Sequence, residues 1–268
     1  MPFSWVLAPV FLFAASDGEH TRGFWLAAVC QFLCLYPASH GFNSFYDRDE
    51  GSIAGVKSPP KVEGELIWVA LGLDVVGLGI AAFVSWEYFV LVLVYGLVSK
   101  AYSHPWTRWK AKPWFGWLVV SVFQGAVTYV MSYVAVHELP VPGLDFEQWF
   151  ASGITTLWIA SSYPLTQIYQ HTEDSRRGDK TLSLWLGVNG TFAFTAIGFV
   201  CAQACLAVWA GIFSHWNLFW CIQAGFLPSA LYFLWWSRSG RPRFENAMAM
   251  SWLSATGVNI ALILYSIL

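Results

Sequence analysis

The chain has 268 residues, 57% apolar and 18% aromatic, with only 11% charged. A soluble globular domain carries about a quarter charged residues, so this composition excludes a water-soluble fold. The formal net charge is −2 and no basic run stands out, so nucleic acid is not an expected partner.

A membrane-spanning helix needs about 20 apolar residues, and the apolar segments divide the chain into nine such helices. They are predicted at 3–18, 24–46, 64–86, 87–101, 114–137, 147–171, 189–213, 217–237 and 244–267. The expected fold is therefore all-α, one polytopic membrane domain over residues 1–268 with its helices around a central cavity. The first segment lacks a basic n-region and further spans follow, so it reads as a retained helix and not a cleavable leader. Five cysteines, Cys30, Cys34, Cys201, Cys205 and Cys221, fall inside apolar segments and read as packed free thiols.

All 14 Lys and Arg residues except Arg22 fall in four short stretches: 48–61, 100–112, 176–180 and 238–243. These follow the second, fourth, sixth and eighth predicted helices, while the intervening turns are uncharged or acidic. Alternation of this kind places the N-terminus and the basic loops in the cytoplasm, and the C-terminus outside.

Every polar motif lies in the basic loops. The second helix ends Asn43-Ser-Phe-Tyr-Asp47-Arg-Asp49-Glu50-Gly51, in which helical spacing puts Asn43, Asp47 and Glu50 or Gly51 on one face. The loop after the fourth helix carries Tyr102, Ser103, His104 and Pro105, then Arg108, Lys110 and Lys112. The sixth helix ends Gln170-His171-Thr172-Glu173-Asp174, with Gln170 sharing a face with Glu173 and Asp174; Arg176, Arg177 and Lys180 follow. Two acidic helix ends at one membrane depth supply hard oxygen ligands of the kind Mg²⁺ takes, alongside substrate phosphates and water. Mg²⁺ with Lys and Arg above an apolar cavity suits a diphosphate on a long apolar chain.

These motifs resemble those of the UbiA superfamily of intramembrane prenyltransferases, and the resemblance covers nearly the whole chain. The family pattern Asn-x-x-x-Asp-x-x-x-Asp matches at Asn43 and Asp47, and a basic-Pro segment, Lys57-Ser-Pro59-Pro60, follows. The loop pattern Tyr-Ser-x-Pro-x-x-Arg-x-Lys-x-x-Pro matches at Tyr102, Ser103, Pro105, Arg108, Lys110 and Pro113. The second acidic motif matches at Asp174, Gly178, Lys180, Thr181 and Leu182. Two family aspartates are replaced: one falls on Gly51, the other on Gln170. Glu50, three residues after Asp47, and Glu173, beside Asp174, are the expected substitutes, and Asp49 matches an Asp found in some members.

The resemblance implies Mg²⁺ held by Asp47, Asp49, Glu50, Glu173 and Asp174, with Asn43, Asp47 and Asp174 acting in catalysis. It implies diphosphate binding by Asn43, Lys57, Tyr102, Ser103, Arg108, Lys110, Arg177 and Lys180, and supporting roles for Gln170, His171 and His40. The implied donor is a prenyl diphosphate and the acceptor a small lipophilic or aromatic molecule. A terpene cyclase needing no acceptor, and a non-catalytic lipid-binding protein, are the alternative readings. Asp74, inside the third predicted helix, is either a protonated packing group or a cavity wall.

Overall fold

The computed structural model describes residues 2–48, 52 and 56–267, and among these residues every regular element is helical. A 3-10 turn, Pro2–Leu7, leads into α1 (Ala8–Ala14). The next rod, α2, runs 22–47 as Arg22–Val29, a π-helical turn Cys30–Leu35, and Tyr36–Asp47. Then come α3 (Leu66–Ala82), α4 (Trp86–Ser103) and α5 (Pro113–His137), the last with a π-helical stretch at Phe123–Val127. The chain continues as α6 (Phe146–Gln167), the short α7 (His171–Arg177), α8 (Leu182–Phe213), α9 (Trp216–Ser239) and α10 (Phe244–Ile267).

Local chemistry explains most of the boundaries. Thr21, Ser85 and Thr181 cap α2, α4 and α8 by accepting from Phe24, Tyr88 and Leu184 N–H groups, and Asp145 with Gln148 forms a capping box on α6. Pro113 opens α5 at the position where a missing N–H is harmless. Close packing follows the membrane rule that small residues let backbones approach. A Cβ at Gly125 would lie 2.5 Å from Thr156 Cα across the α5–α6 contact, and one at Gly257 would lie 2.1 Å from the Gly225 carbonyl across α9–α10.

Each of the nine predicted segments overlaps a helix, with four shifts of four residues or more. The first helix ends at Ala14 and not 18, the third at Ala82 and not 86, the sixth at Gln167 and not 171, and α8 begins at Leu182 and not 189. The α8 shift arises because Thr181 caps a helix ahead of Gly187, whose φ of 69° marks a kink within the rod. Among the described residues, length and composition qualify four helices to cross a membrane: Pro113–His137, Leu182–Phe213, Trp216–Ser239 and Phe244–Ile267. Ser4–Ala14 and Leu66–Ala82 are apolar but shorter. Rods α2 and α6 carry Gln31, His40, Asn43, Asp47, Gln167 and several Ser and Thr, which lowers their hydropathy.

The bundle is packed unevenly. In α5, Thr128–His137 buries eight of its 10 residues, whereas Pro113–Val122 buries only Gly116, Val120 and Ser121 of its 10. Two large apolar clusters gather around Phe13, Trp158 and Trp209 and around Phe11, Tyr36 and Tyr88. A third, smaller one, with Leu165, Ile168, Phe192 and Trp236, lies toward the acidic helix ends. All five cysteines are free thiols.

Candidate functional site

α2 ends at the motif. Asn43 and Asp47 lie one turn apart on it, and Arg48, at a left-handed φ of 48°, stops the helix. Lys110, from the α4–α5 loop, forms an ion pair with Asp47 and also reaches the Asn43 side-chain oxygen at 3.4 Å. Ser103 Oγ donates to that same oxygen at 2.7 Å. The Lys110 and Asp47 side chains are only 12% and 13% exposed, so this is a largely desolvated pair.

The second acidic helix end is tied to the same α4–α5 loop, where Arg108 bonds Asp179 just after α7. Burial pushes the Lys110 ammonium down to about 8; Asp179 and Asp174 oppose the shift and Arg177 adds to it. Within α7, Arg177 Nη2 bonds Glu173 at 2.7 Å. Asp174 accepts from Thr181 Oγ1 at 3.0 Å. Burial nevertheless lifts the Asp174 carboxyl to about 6; the Thr181 bond and Arg177 act against the rise, while Asp179 and Glu173 reinforce it. A raised, half-compensated carboxylate is a group that a cation would relieve.

Gly178, at φ 73°, turns the chain back so that Asp179 N–H bonds the Asp174 carbonyl at 2.9 Å. The Asp179 side chain, 8% exposed, takes Arg108 Nη2 at 3.0 Å. Further bonds stitch the loops together: Lys180 N–H to the Ala111 carbonyl at 3.4 Å and Gln170 Nε2 to the Ser52 carbonyl at 3.2 Å. Below them Tyr102 and Tyr163 hydroxyls meet at 2.5 Å, and Gln167 Nε2 donates to Tyr163 at 3.0 Å.

Of the expected residues, Asn43, Asp47, Ser103 and Lys110 form one bonded group, Arg108 reaches Asp179, Asp174 and Arg177 bond Thr181 and Glu173, and Tyr102 meets Tyr163. Gln170 uses its amide to hold the loop after α2, and His171 bonds Ser183 Oγ at 2.8 Å, burial lowering its pKa. His40 sits one turn before Asn43 on α2. Lys180 directs only its backbone into the network and its side chain is exposed. Lys57 is engaged elsewhere: its ammonium pairs with Glu245 of α10 at 2.5 Å, both well exposed. Asp49, Glu50 and Gly51 lie outside the described residues. Asp74, expected as a protonated packing group or a cavity wall, is paired with Lys100 of α4 at 2.5 Å.

Asp179 and Gln167 join the site without having been singled out as site residues, alongside Tyr163 and the motif residue Thr181. Thr181 was readable as a helix cap. Asp179 carried no spacing signal, since its partner Arg108 is distant in sequence.

The donors from α2 and α7, namely Asp47, Asn43, Asp174 and Glu173, are all oxygen, which fits a hard divalent cation. Among the described residues no three His, Cys, Asp or Glu side chains converge enough to hold a metal alone. A cation here would need the oxygens of a bound phosphate to complete its shell.

Fold and site together define an integral membrane protein of helical rods with one polar, two-motif centre at one end of the bundle. Residues 3–262 match the UbiA prenyltransferase family, and the chain belongs to that family. It is similar in fold to the apo UbiA homolog of Aeropyrum pernix K1, with a TM-score of 0.71 and 17% identity over 99% of this chain and 96% of that one. It is also similar to the Archaeoglobus fulgidus UbiA homolog bound to DMAPP and Mg²⁺, with a TM-score of 0.66, 15% identity and coverage of 99% and 95%. A digeranylgeranylglyceryl phosphate synthase structure matches with a TM-score of 0.61, 14% identity and coverage of 100% and 92%. No curated protein sequence matches the chain.

Proposed function

We propose that this chain is a Mg²⁺-dependent intramembrane prenyltransferase that moves an isoprenoid group from a prenyl diphosphate to a small lipophilic or aromatic acceptor. The observation that carries this is that one loop joins the two acidic helix ends: its Lys110 pairs with Asp47, and its Arg108 pairs with Asp179, whose N–H bonds the Asp174 carbonyl. An arrangement of acids and cations at the end of an apolar helical bundle matches the two parts of a prenyl diphosphate. The A. fulgidus homologs with DMAPP or geranyl diphosphate and Mg²⁺ agree with this reading.

Asp47, Asn43, Asp174 and Glu173 would hold Mg²⁺, with Asp49 and Glu50 as further ligands beside Asp47. When bound, the ion neutralises diphosphate charge and makes it a better leaving group. Lys110 exchanges its Asp47 partner for a phosphate oxygen, and Arg108 and Arg177 fix the remaining charge. Ser103 orients Asn43 through its hydrogen bond. Tyr102 and Tyr163 present ring faces that stabilise an allylic cation as the carbon–oxygen bond breaks. The acceptor's electron pair then forms the new bond and a proton leaves the acceptor. In the topology proposed here nine helices span the bilayer and the motif end faces the cytoplasm.

The test is turnover by purified protein with Mg²⁺, a prenyl diphosphate and a panel of aromatic acceptors, with products extracted and weighed by mass spectrometry. A prenylated acceptor supports the transferase. A cyclic product from donor alone replaces it with a cyclase. No donor binding and no diphosphate release would contradict both.

A further inference from the structure

At the end of the bundle away from the motifs, four helix termini surround a hollow of about 290 Å³, whose lining includes Arg22 and Leu26 of α2, Phe83 and Ser85 of the α3–α4 turn, Glu87 of α4 and Glu138 after α5. The sequence builds it in steps. Gly23 lets α2 close on α5: a Cβ there would come within 2.0 Å of the Ala135 carbonyl. Thr21 Oγ1 fastens the contact by donating to the Val136 carbonyl at 3.2 Å. Arg22, between Thr21 and Gly23, is thereby held at the end of α5, where Glu138 at φ 53° turns the chain away. The short α3–α4 turn completes the wall, with Ser85 capping α4 and Glu87 in its first turn.

Several polar groups at this end have partners, but these three charges do not. Among the described residues the Arg22, Glu87 and Glu138 side chains make no hydrogen bond or ion pair, with one another or with any neighbour. Helix α5 also ends here without backbone capping: neither the Glu138 nor the Leu139 N–H bonds a helix carbonyl among the described residues. The negative end of its dipole therefore adds to the two carboxylates. One hollow thus offers a guanidinium for an anion, and carboxylates that can accept from a hydrogen-donating cation.

The depth of the hollow names the source of such a ligand. Trp25, one turn beyond Arg22, and Phe83 and Trp86, on either side of Ser85, are exposed. Exposed rings at helix ends mark the interfacial level of a bilayer, where lipid head groups lie. The volume falls at the small end of the roughly 300–1,000 Å³ of ligand pockets, which suits a head group and not a long chain. We propose that this hollow binds the head group of an ethanolamine phospholipid in the leaflet opposite the motifs, with its phosphate on Arg22 and its ammonium on Glu87 and Glu138. The bound lipid ties together the termini of α2, α3, α4 and α5. A choline head group keeps the charge but has no N–H to donate, and a glycerol head group has the phosphate without the ammonium. Nothing in this proposal depends on the prenyl-diphosphate reading of the motif end.

The experiment is titration of the full chain in detergent with short-chain ethanolamine, choline and glycerol phospholipids, and with free phosphoethanolamine, read by native mass spectrometry. The ethanolamine lipid should bind about tenfold tighter than the other two lipids. It should also raise the melting temperature most. Replacing both acids, Glu87→Gln with Glu138→Gln, should erase the preference for ethanolamine over choline, while Arg22→Met should weaken both lipids alike. Inorganic diphosphate binding with Mg²⁺, unchanged in all these variants, would show that the fold is intact. Equal binding of the three lipids to the wild type, or an undiminished preference in the double variant, overturns the site. Free phosphoethanolamine binding as tightly as the lipid overturns the lipid as its occupant.

Discussion

The two ends of the bundle solve the same problem, ending helices at a membrane surface, in opposite ways. At the end away from the motifs, several polar groups find nearby partners: Thr21 Oγ1 donates to the Val136 carbonyl at 3.2 Å, His215 meets Glu147 at 2.6 Å, and Asp145 and Gln148 close a capping box. At the motif end, Asp174 is half-buried with its carboxyl raised to about 6, and Lys110 is depressed to about 8. One end is built for stability; the other keeps unrelieved charge in place, which is how sites prepared for a charged ligand differ from ordinary helix ends.

Substitutions at the two ends should therefore separate into different readouts. The largest effect is expected at the acids. Asp174→Asn should lower diphosphate release about a thousandfold, a loss of several kcal/mol of leaving-group stabilisation, while circular dichroism and melting stay near wild type. A melting collapse with activity retained would reverse the comparison.

Lys110→Met comes next. It leaves Asp47 buried without its cation, and should destabilise the metal-free protein by about 3 kcal/mol. Adding Mg²⁺ together with inorganic diphosphate should restore much of that, because the bound ion replaces the missing charge; thermal melts with and without the two read it directly. In the interior, Gln31→Leu should cost about 2 kcal/mol of stability by stripping Tyr36, Tyr88 and Ser132 of their shared partner, with little change in the affinity for inorganic diphosphate. The smallest effect belongs to His215→Gln, which loosens a partly exposed pair and should cost below about 1 kcal/mol with no effect on turnover.

The helices were legible in the sequence because long apolar runs are separated by charged or turn-forming loops, and the motif residues because their spacings are local: Asn43 with Asp47, Arg108 with Lys110, Asp174 with Gly178. What stayed hidden was long-range or conformational. Lys100 belonged by sequence to a basic loop, yet its ammonium reaches back along α4 to Asp74. Asp179 looked like one more loop acid until Arg108, from another loop, was seen against it. Lys57, grouped by sequence with the motif, pairs with Glu245 instead. No residue pattern announces a π-helical turn, so those at Cys30–Leu35 and Phe123–Val127 required the folded backbone.

The central claim is that the motif end binds a prenyl diphosphate through Mg²⁺ and its acids. Calorimetric titration of geranyl diphosphate into the purified chain, with Mg²⁺ and then with a chelator, tests it most directly. The account predicts saturable binding with Mg²⁺ that is largely lost both with chelator and in Asp174→Asn. Binding of equal strength in all three conditions, or none in any, would contradict it.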